Sequence, residues 1–396
     1  MMYSKNMIQG IELTSENFYK AAGLFEELKH HLSIKGVING TVPGRVFLSN
    51  DCSSALLTSP QGIFLGGSTE NNGFFEEANN LVKEELLPEL ASNGELDYVL
   101  FYPTDGKWDG ILQIVMKDLL PMRSGRMIFN HNLSSIDVPA DNSIVPINGN
   151  LLQRQDVIGL SEVISEILEN WPSIEAYEDK GFGCVAMQDT DQGPTIISWC
   201  LTDWVVDDEC EIGIETDERY QGNGWARKTA LGTLTLAKQR GIRNVGWQCW
   251  SNNIASQRTA LSVGFKPLAD FPVLFGWNHP LNNLLVNGNH YMRGDRKYDV
   301  EKDYARAAWS YAQALDEGWD WNGDMALYWN AACMFYLTGE MEKAKHYYKK
   351  AMEMGWRDIH QPHYHEYVYR EEDSEQIARI LSDSLKNSTA NTSLFT

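Results

Sequence analysis

The chain has no Cys-x-x-Cys pair. Its six cysteines (Cys52, Cys184, Cys200, Cys210, Cys249 and Cys333) are scattered over 396 residues. That spacing excludes a zinc ribbon or a stapled secreted scaffold and fits buried, reduced thiols. Long apolar runs are missing too. None approaches the ~20 residues that span a bilayer, and the opening MMYSKNMIQGIELTSEN lacks the apolar core of a signal peptide. A soluble, cytoplasmic protein is expected. Cations are the third shortage: 33 Lys and Arg stand against 54 Asp and Glu, for a net charge of −21. Nucleic acids and anionic membranes are held by cationic contacts, so neither is expected as a partner. A cationic ligand such as an amine suits the balance better, although acidity also serves solubility alone.

Hydrophobic residues make up 43% of the chain, enough for two or three domains with cores of their own. In a first region, 1–145, the runs RVFLS (45–49), SALLT (54–58) and GIFLGG (62–67) read as strands. A long helix over 71–91 follows, with Asn72 as N-cap, then a strand in LDYVLFY (96–102), a short helix over 108–117 and a strand in RMIFN (126–130). A second region, 150–292, starts with a helix in DVIGLSEVISEILENW. Strands follow in GFGCVAMQD (181–189), TIISWCL (195–201) and CEIGIET (210–216), then a helix over 224–240, a strand in NVGWQCW (244–250) and a short helix over 254–263. Both regions thus run three strands, long helix, strand, short helix, strand, with the long helices about 150 residues apart, an order compatible with a duplicated architecture.

A third region, 294–385, carries a repeat. ARAAWSYAQALDEGW and EKAKHYYKKAMEMGW align without gaps, so that Ala307, Tyr311, Ala314, Gly318 and Trp319 fall on Ala344, Tyr348, Ala351, Gly355 and Trp356. Small and aromatic residues three or four apart share one helix face. With Ala332 and Gly339 this resembles a tetratricopeptide repeat, and a C-terminal all-α region of helical hairpins is expected. The tail 386–396, KNSTANTSLFT, is expected to be disordered.

The chemistry centres on EIGIETDERYQGNGWARKTALGTLTLAKQRG. Two glycines one residue apart at a strand-to-helix junction let backbone N–H groups converge. The first N–H groups of a helix lack internal partners, and its dipole adds positive character, so such a turn suits phosphate. A tight turn without a ligand is the plainer alternative. A dinucleotide fingerprint fails because Arg227 fills its third small-residue slot, and a P-loop fails because Arg227 precedes Lys228-Thr229. The spacing Gln221-x-x-Gly224-x-Ala226 fits instead, and an overlapping register on Arg219, Gly222 and Gly224 also fits. The first starts the helix where the periodic apolar run starts.

With the strand before the loop, the helix after it, and Asn253, Ser256, Gly264 and Phe265 in NNIASQRTALSVGF, residues 150–270 resemble a Gcn5-related N-acetyltransferase (GNAT). The subgroup that includes the zwittermicin A resistance acetyltransferase looks most similar. The resemblance implies a mixed-sheet α/β (α+β) fold, with the first region as a degenerate GNAT-like N-terminal lobe that binds no CoA and closes the acceptor pocket. It implies acetyl-CoA as co-substrate, with no metal. The loop Gln221, Gly222, Asn223, Gly224, Trp225 and Ala226 would cradle the pyrophosphate. Strand residues Ile214 to Thr216 would pair with the pantetheine arm, and Asn253 and Ser256 would hold its far end.

Acetyl transfer by direct attack needs a neutral amine. An alkyl amine of pKa ~10.4 is about one part in a thousand neutral near neutrality, so a base or a dry pocket must offset ~4 kcal/mol. Glu211 is the candidate general base, on one strand face with Gly213 and Glu215; an exposed strand carboxylate is the alternative, and Glu215, Asp207 and Asp208 are other candidates. An N–H near Ile214 would stabilise the oxyanion. Many family members place a Tyr seven residues after the Asn to protonate the thiolate; here that residue is Ala260, leaving Tyr291 or solvent. The three histidines of HQPHYH (His360, His363, His365) have metal-like spacing but no nearby Cys. Trp225, Trp247 and Trp250 read as core before pocket, and Lys343, Lys345, Lys349 and Lys350 as a solvated face.

The function expected is an acetyl-CoA-dependent N-acetyltransferase acting on a small-molecule amine, such as an amino-bearing antibiotic or metabolite. The helical repeats would bind a protein partner or a second copy. The alternative is an inactive CoA-binding interaction module acting through those repeats.

Overall fold

The computed structural model describes residues 10–92, 97–117, 119, 121–133, 143–278, 280–294, 301–316, 325–356 and 368–392. They form two compact units. One comprises Met1–Val82, Val99–Val115 and Ser124–Val273; the other Lys83–Tyr98, Met116–Arg123 and Leu274–Thr396. The expected fold class is the one observed, a mixed α/β sheet together with C-terminal helices.

The strands are β1 (Gly10–Glu12), β2 (Val46–Ser49), β3 (Ser54–Ser59), β4 (Gly62–Gly67), β5 (Asp97–Phe101), β6 (Met122–Asn132), β7 (Ile144–Pro146), β8 (Gly183–Thr190), β9 (Gly193–Val206), β10 (Glu209–Thr216), β11 (Asn244–Trp250) and β12 (Lys266–Trp277). They make one sheet in the order β1-β2-β3-β4-β5-β12-β6-β11-β10-β9-β8-β7. The helices along this part of the chain are α1 (Leu32–Ile38), α2 (Asn72–Leu81), α3 (Leu87–Ser92), α4 (Trp108–Val115), α5 (Gly149–Leu152), α6 (Leu160–Asn170), α7 (Ile174–Lys180), α8 (Trp225–Gln239) and α9 (Ile254–Ser262).

Both halves of the sheet follow one plan. β2, β3 and β4 are antiparallel, and β5 then returns parallel to β4, Ile63 against Leu100. β8, β9 and β10 are likewise antiparallel, and β11 returns parallel to β10. The last strand of each half is exchanged: β12 lies beside β5, and β6 lies antiparallel beside β11, with Phe129 opposite Trp247. The order of elements along the chain carries no sign of such an exchange.

Two layers cover the β8–β11 half. Thr229, Ala230, Thr233, Leu234 and Ala237 form the buried stripe of α8, and they pack with Cys210, Ile212, Val245, Trp247 and Cys249 from one sheet face. The other face carries Trp199 and Leu201 against Val163, Ile167 and Tyr177 of α6 and α7. None of the six cysteines is bridged, and five are buried.

Two local expectations need correction. The cap of the 71–91 helix is Asn71, whose side chain accepts the Phe74 N–H at 3.2 Å, one residue before the expected Asn72. The helix is also not continuous α: a π-helical turn, Val82–Leu86, separates α2 from α3. Pro88 follows at once, and its ring and missing N–H break the ladder bond to Glu84.

In the second unit, α10 (Pro280–Arg293), α11 (Tyr304–Asp316), α12 (Met325–Leu337), α13 (Met341–Glu353) and α14 (Ser374–Thr392) surround an apolar core. The repeat alanines and tyrosines Ala307, Tyr311, Ala314, Ala344, Tyr348 and Ala351 all lie in that core, as does Trp356. Gly318 and Trp319 lie outside the described residues. Tyr311 Oη donates to Asn289 Oδ1 at 2.7 Å, and Asn330 Oδ1 accepts the Tyr369 N–H at 2.8 Å, so buried polar atoms join the helices. α14 runs to Thr392, into the tail expected to be disordered; no Gly or Pro stops it. Among the described residues no helix is long and apolar enough to cross a membrane.

Candidate active site

The site follows from where two strands stop pairing. β10 and β11 are in parallel register over Glu209–Asn244, Cys210–Val245 and Glu211–Gly246 only. Both strands then continue, to Thr216 and Trp250, while β10 keeps pairing with β9 and β11 with β6. The sheet therefore opens between them from Glu211 and Gly246 onward. Facing backbone groups there lack ladder partners and can accept an extended chain as an added strand. Ile214 and Thr216, expected to do this, lie along the opening.

The turn after β10 is built for its conformation. Gly222 and Gly224 have φ of +75° and +80°, where a side chain is strained. A Cβ at either would meet no atom within 4 Å, so internal packing does not demand glycine and the surface is open for close approach. Gln221 Nε2 donates to the Thr216 carbonyl at 3.1 Å, and Asn223 Nδ2 to the Tyr220 and Gln221 carbonyls, each at 3.1 Å. These side chains brace the loop through its carbonyls, so they do not occupy its N–H groups. Gly224 is the N-cap of α8 with no side-chain acceptor, and the first helical bond runs from the Lys228 N–H to the Gly224 carbonyl at 3.2 Å. The N–H groups of Trp225, Ala226 and Arg227 precede it and have no helical partner. This constellation fits a phosphate-bearing ligand.

Asn253 and Ser256 stand at the head of α9. Asn253 Oδ1 caps the helix through the Ser256 N–H at 3.0 Å, and Ser256 Oγ accepts from Trp247 Nε1 at 3.0 Å. Trp247 is core, in edge contact with Phe265. Trp225 lies under Lys228, and Trp250 under the Arg126 guanidinium at 4.7 Å.

Glu211 is buried, only 4% exposed, at the point where the strands part. Gln248 Nε2 donates to its Oε2 at 3.2 Å. Burial pushes its pKa up to about 7, against the opposing pull of Arg126 and the Gln248 hydrogen bond. A carboxyl poised near neutrality in a cleft is a general-base candidate. Beside it opens a cavity of ≈ 200 Å³, and the lysines lining it are paired: Lys35 with Glu209 at 2.8 Å, Lys29 with Glu26 at 2.6 Å. The other carboxylates considered are placed differently. Asp207 and Asp208 occupy the β9–β10 turn, paired with Lys35 and Arg243, and Glu215 is exposed. Ala260 is wholly buried in the α8–α9 core. Tyr291 belongs to α10 of the helical unit. The three histidines at 360, 363 and 365 lie outside the described residues. Among the described residues no group of His, Cys, Asp or Glu could hold a metal.

Sequence reasoning missed Asp203 and Glu166. Between Trp204, opposite Glu211, and Thr202, opposite Ile212, the β9 register slips by one residue, and Asp203 is the residue left over. A β-bulge of this kind re-aims a side chain. The one visible signal was an acid inside the apolar run TIISWCLTDWVV.

A family model for GNAT acetyltransferases matches residues 22–274. Solved structures with similar folds include a GCN5-related N-acetyltransferase-like protein from Streptococcus suis (17% identity, TM-score 0.44, covering 66% of this chain and 98% of that one). A GCN5-related N-acetyltransferase from Sphaerobacter thermophilus is 13% identical (TM-score 0.44; 69% and 96% covered). A tandem GNAT protein from the clavulanic acid biosynthesis pathway is 10% identical (TM-score 0.43; 69% and 99% covered). No curated protein matches the sequence. The family model spans well over half of the chain, across both halves of the sheet, and the chain belongs to the GNAT acetyltransferase family.

Proposed function

We propose that the protein is an acetyl-CoA-dependent N-acetyltransferase that acts on a small-molecule amine. The observation that carries this reading is the placement of a buried Glu211 at the mouth of the β10–β11 opening, with the left-handed glycine turn at the far end of β10. Backbone N–H groups from Gly222 to Ala226 would hold the pyrophosphate of acetyl-CoA. The β10 edge at Ile214 to Thr216 would receive the pantetheine amides, and Asn253 and Ser256 would lie at the arm's far end. Bound there, acetyl-CoA supplies an activated acyl group. Glu211, once ionised, takes the proton that the attacking nitrogen gives up as the new C–N bond forms and the C–S bond breaks. The departing sulfur takes its proton from solvent, because Ala260 offers none. The subgroup around zwittermicin A resistance suggests an amino-bearing antibiotic or metabolite as acceptor. A partner or a second copy would dock on the tetratricopeptide-like repeats, in a cytoplasmic setting.

Ala260 also supports a second reading, an inactive CoA-binding module that works through its helices. A thiol-release assay over a panel of amines separates the two. Turnover that falls ~100-fold or more in Glu211→Gln supports transfer with Glu211 as base. Saturable acetyl-CoA binding with no thiol release from any amine supports the inactive module.

A further inference from the structure

Gln248 lies on β11 two residues past Gly246, where β11 last pairs with β10. Side chains alternate along a strand, so Gln248 lies on the same sheet face as Gly246, which lines the cavity beside Glu211. Its partner on β6, Ile128, lines the same cavity. The amide is held at one end only. Nε2 donates to Glu211 Oε2 at 3.2 Å, and this fixes which way the amide faces, because an ionised carboxylate accepts and does not donate. Oε1 is buried and has no hydrogen-bond partner among the described residues. Both amide atoms hang from one carbon, so this bare acceptor lies within a few ångströms of the Glu211 carboxylate. Buried acceptors are nearly always paired, and leaving one unpaired is costly. An N–H brought to Glu211 by a ligand completes the pairing.

We propose that Gln248 is a specificity-determining residue for acetyl transfer: its Oε1 accepts the N–H that the acceptor nitrogen keeps, while Glu211 takes the proton that this nitrogen gives up. This rests on the acetyl-transfer reading given above. A neutral primary amine carries two N–H bonds and one lone pair. One N–H points to the Glu211 carboxylate and the other to Gln248 Oε1, which leaves the lone pair to attack the thioester carbonyl. As the C–N bond forms and the C–S bond breaks, the first proton passes to Glu211 and the second stays as the amide N–H of the product. The sulfur leaves with the bonding pair and takes a proton from solvent. A secondary amine has a single N–H, so either Glu211 or Gln248 Oε1 goes without. Its ammonium form still carries two N–H bonds and binds normally. The loss therefore falls on kcat and not on KM.

The test compares primary amines with their N-methyl forms on the full chain, by thiol release from acetyl-CoA. Benzylamine and N-methylbenzylamine make one pair, tyramine and N-methyltyramine another, and any other primary amine that turns over is paired in the same way. In the wild type, kcat should be roughly 10- to 100-fold lower for the N-methyl amine, the factor expected when a buried acceptor is left unpaired, with KM little changed. Gln248→Met keeps the length of the side chain and removes the amide. It should slow the primary amine and bring the ratio towards one. Gln248→Asn, which draws the oxygen back by one carbon, should do the same. Both variants also lose a hydrogen bond that holds the Glu211 pKa down, so the limb of the rate profile on which Glu211 ionises should move to higher pH. A melt and unchanged acetyl-CoA binding confirm that each variant folds. Equal kcat for both amines in the wild type, or a discrimination that survives in both variants and so reflects shape alone, overturns the proposal and leaves the transferase reading standing. No thiol release from any amine removes that reading, and the proposal with it.

Discussion

Replacing Glu211 by Gln should change how stability depends on pH, and the size of the change follows from where the residue sits. Its pKa moves from the usual 4.5 to about 7, with burial as the main cause. A group whose folded pKa is raised holds its proton longer in the native state than in the unfolded one. Its contribution is fully present below about pH 4.5 and is lost as pH rises through about 7. Between about pH 5 and about pH 8 that loss is on the order of 2 kcal/mol. Glutamine carries no proton to lose but keeps the length of the side chain, and the Gln248 amide still finds an oxygen at 3.2 Å. Urea melts of both proteins at the two pH values give the slopes. The wild type should lose on the order of 2 kcal/mol more than the variant over that interval. Removing Glu211 also relieves Asp203 of a like charge, which adds to the difference in the same direction. Parallel slopes would refute the claim that Glu211 is buried and proton-bearing near neutrality.

Three further outcomes can be checked by melts at fixed pH. Asn253→Ala removes the α9 cap and should cost about 1 kcal/mol, whereas Asn253→Asp should keep most of it. Trp247→Ala should cost ~3–5 kcal/mol, because the indole fills the core beneath α8 and α9; a loss under ~1 kcal/mol would place it at the surface. In the helical unit, Tyr311→Phe leaves Asn289 Oδ1 without its short donor and should cost about 1–2 kcal/mol.

Much of the first unit was legible in the sequence. GIFLGG and NVGWQCW begin and end where they were read, since their composition and flanking turns mark strands. The start of α8 at Trp225 lies within one residue of the expected 224. The longer elements were cut short for a physical reason. β9 continues past TIISWCL through Thr202 and Asp203 to Val206, because a bulge absorbs the polar residue that seemed to end the run. The exchange of last strands was invisible, since pairing between distant strands leaves no local pattern. The same holds for the site. Gln221 to Ala226 could be found because a turn has a short-range signature. Glu211 could be nominated by alternation, but its burial depends on distant elements, among them β11 with Gln248. Asp203 and Glu166 meet only through tertiary packing around Gly213, so no spacing in the sequence joins them.

The glycine turn is the proposed seat of the donor, and calorimetric titration of acetyl-CoA into the full chain tests this directly, with Gly224→Val as control. A valine at φ +80° is strained and puts a side chain where the backbone must be approached. One-site saturable binding by the wild type, lost in a variant that still melts cooperatively, is the predicted result. At a ligand concentration ~100 times its dissociation constant, the wild type should also gain ~2.7 kcal/mol of stability. A folded wild type that takes up no acetyl-CoA, or a variant that binds it equally well, would contradict the account.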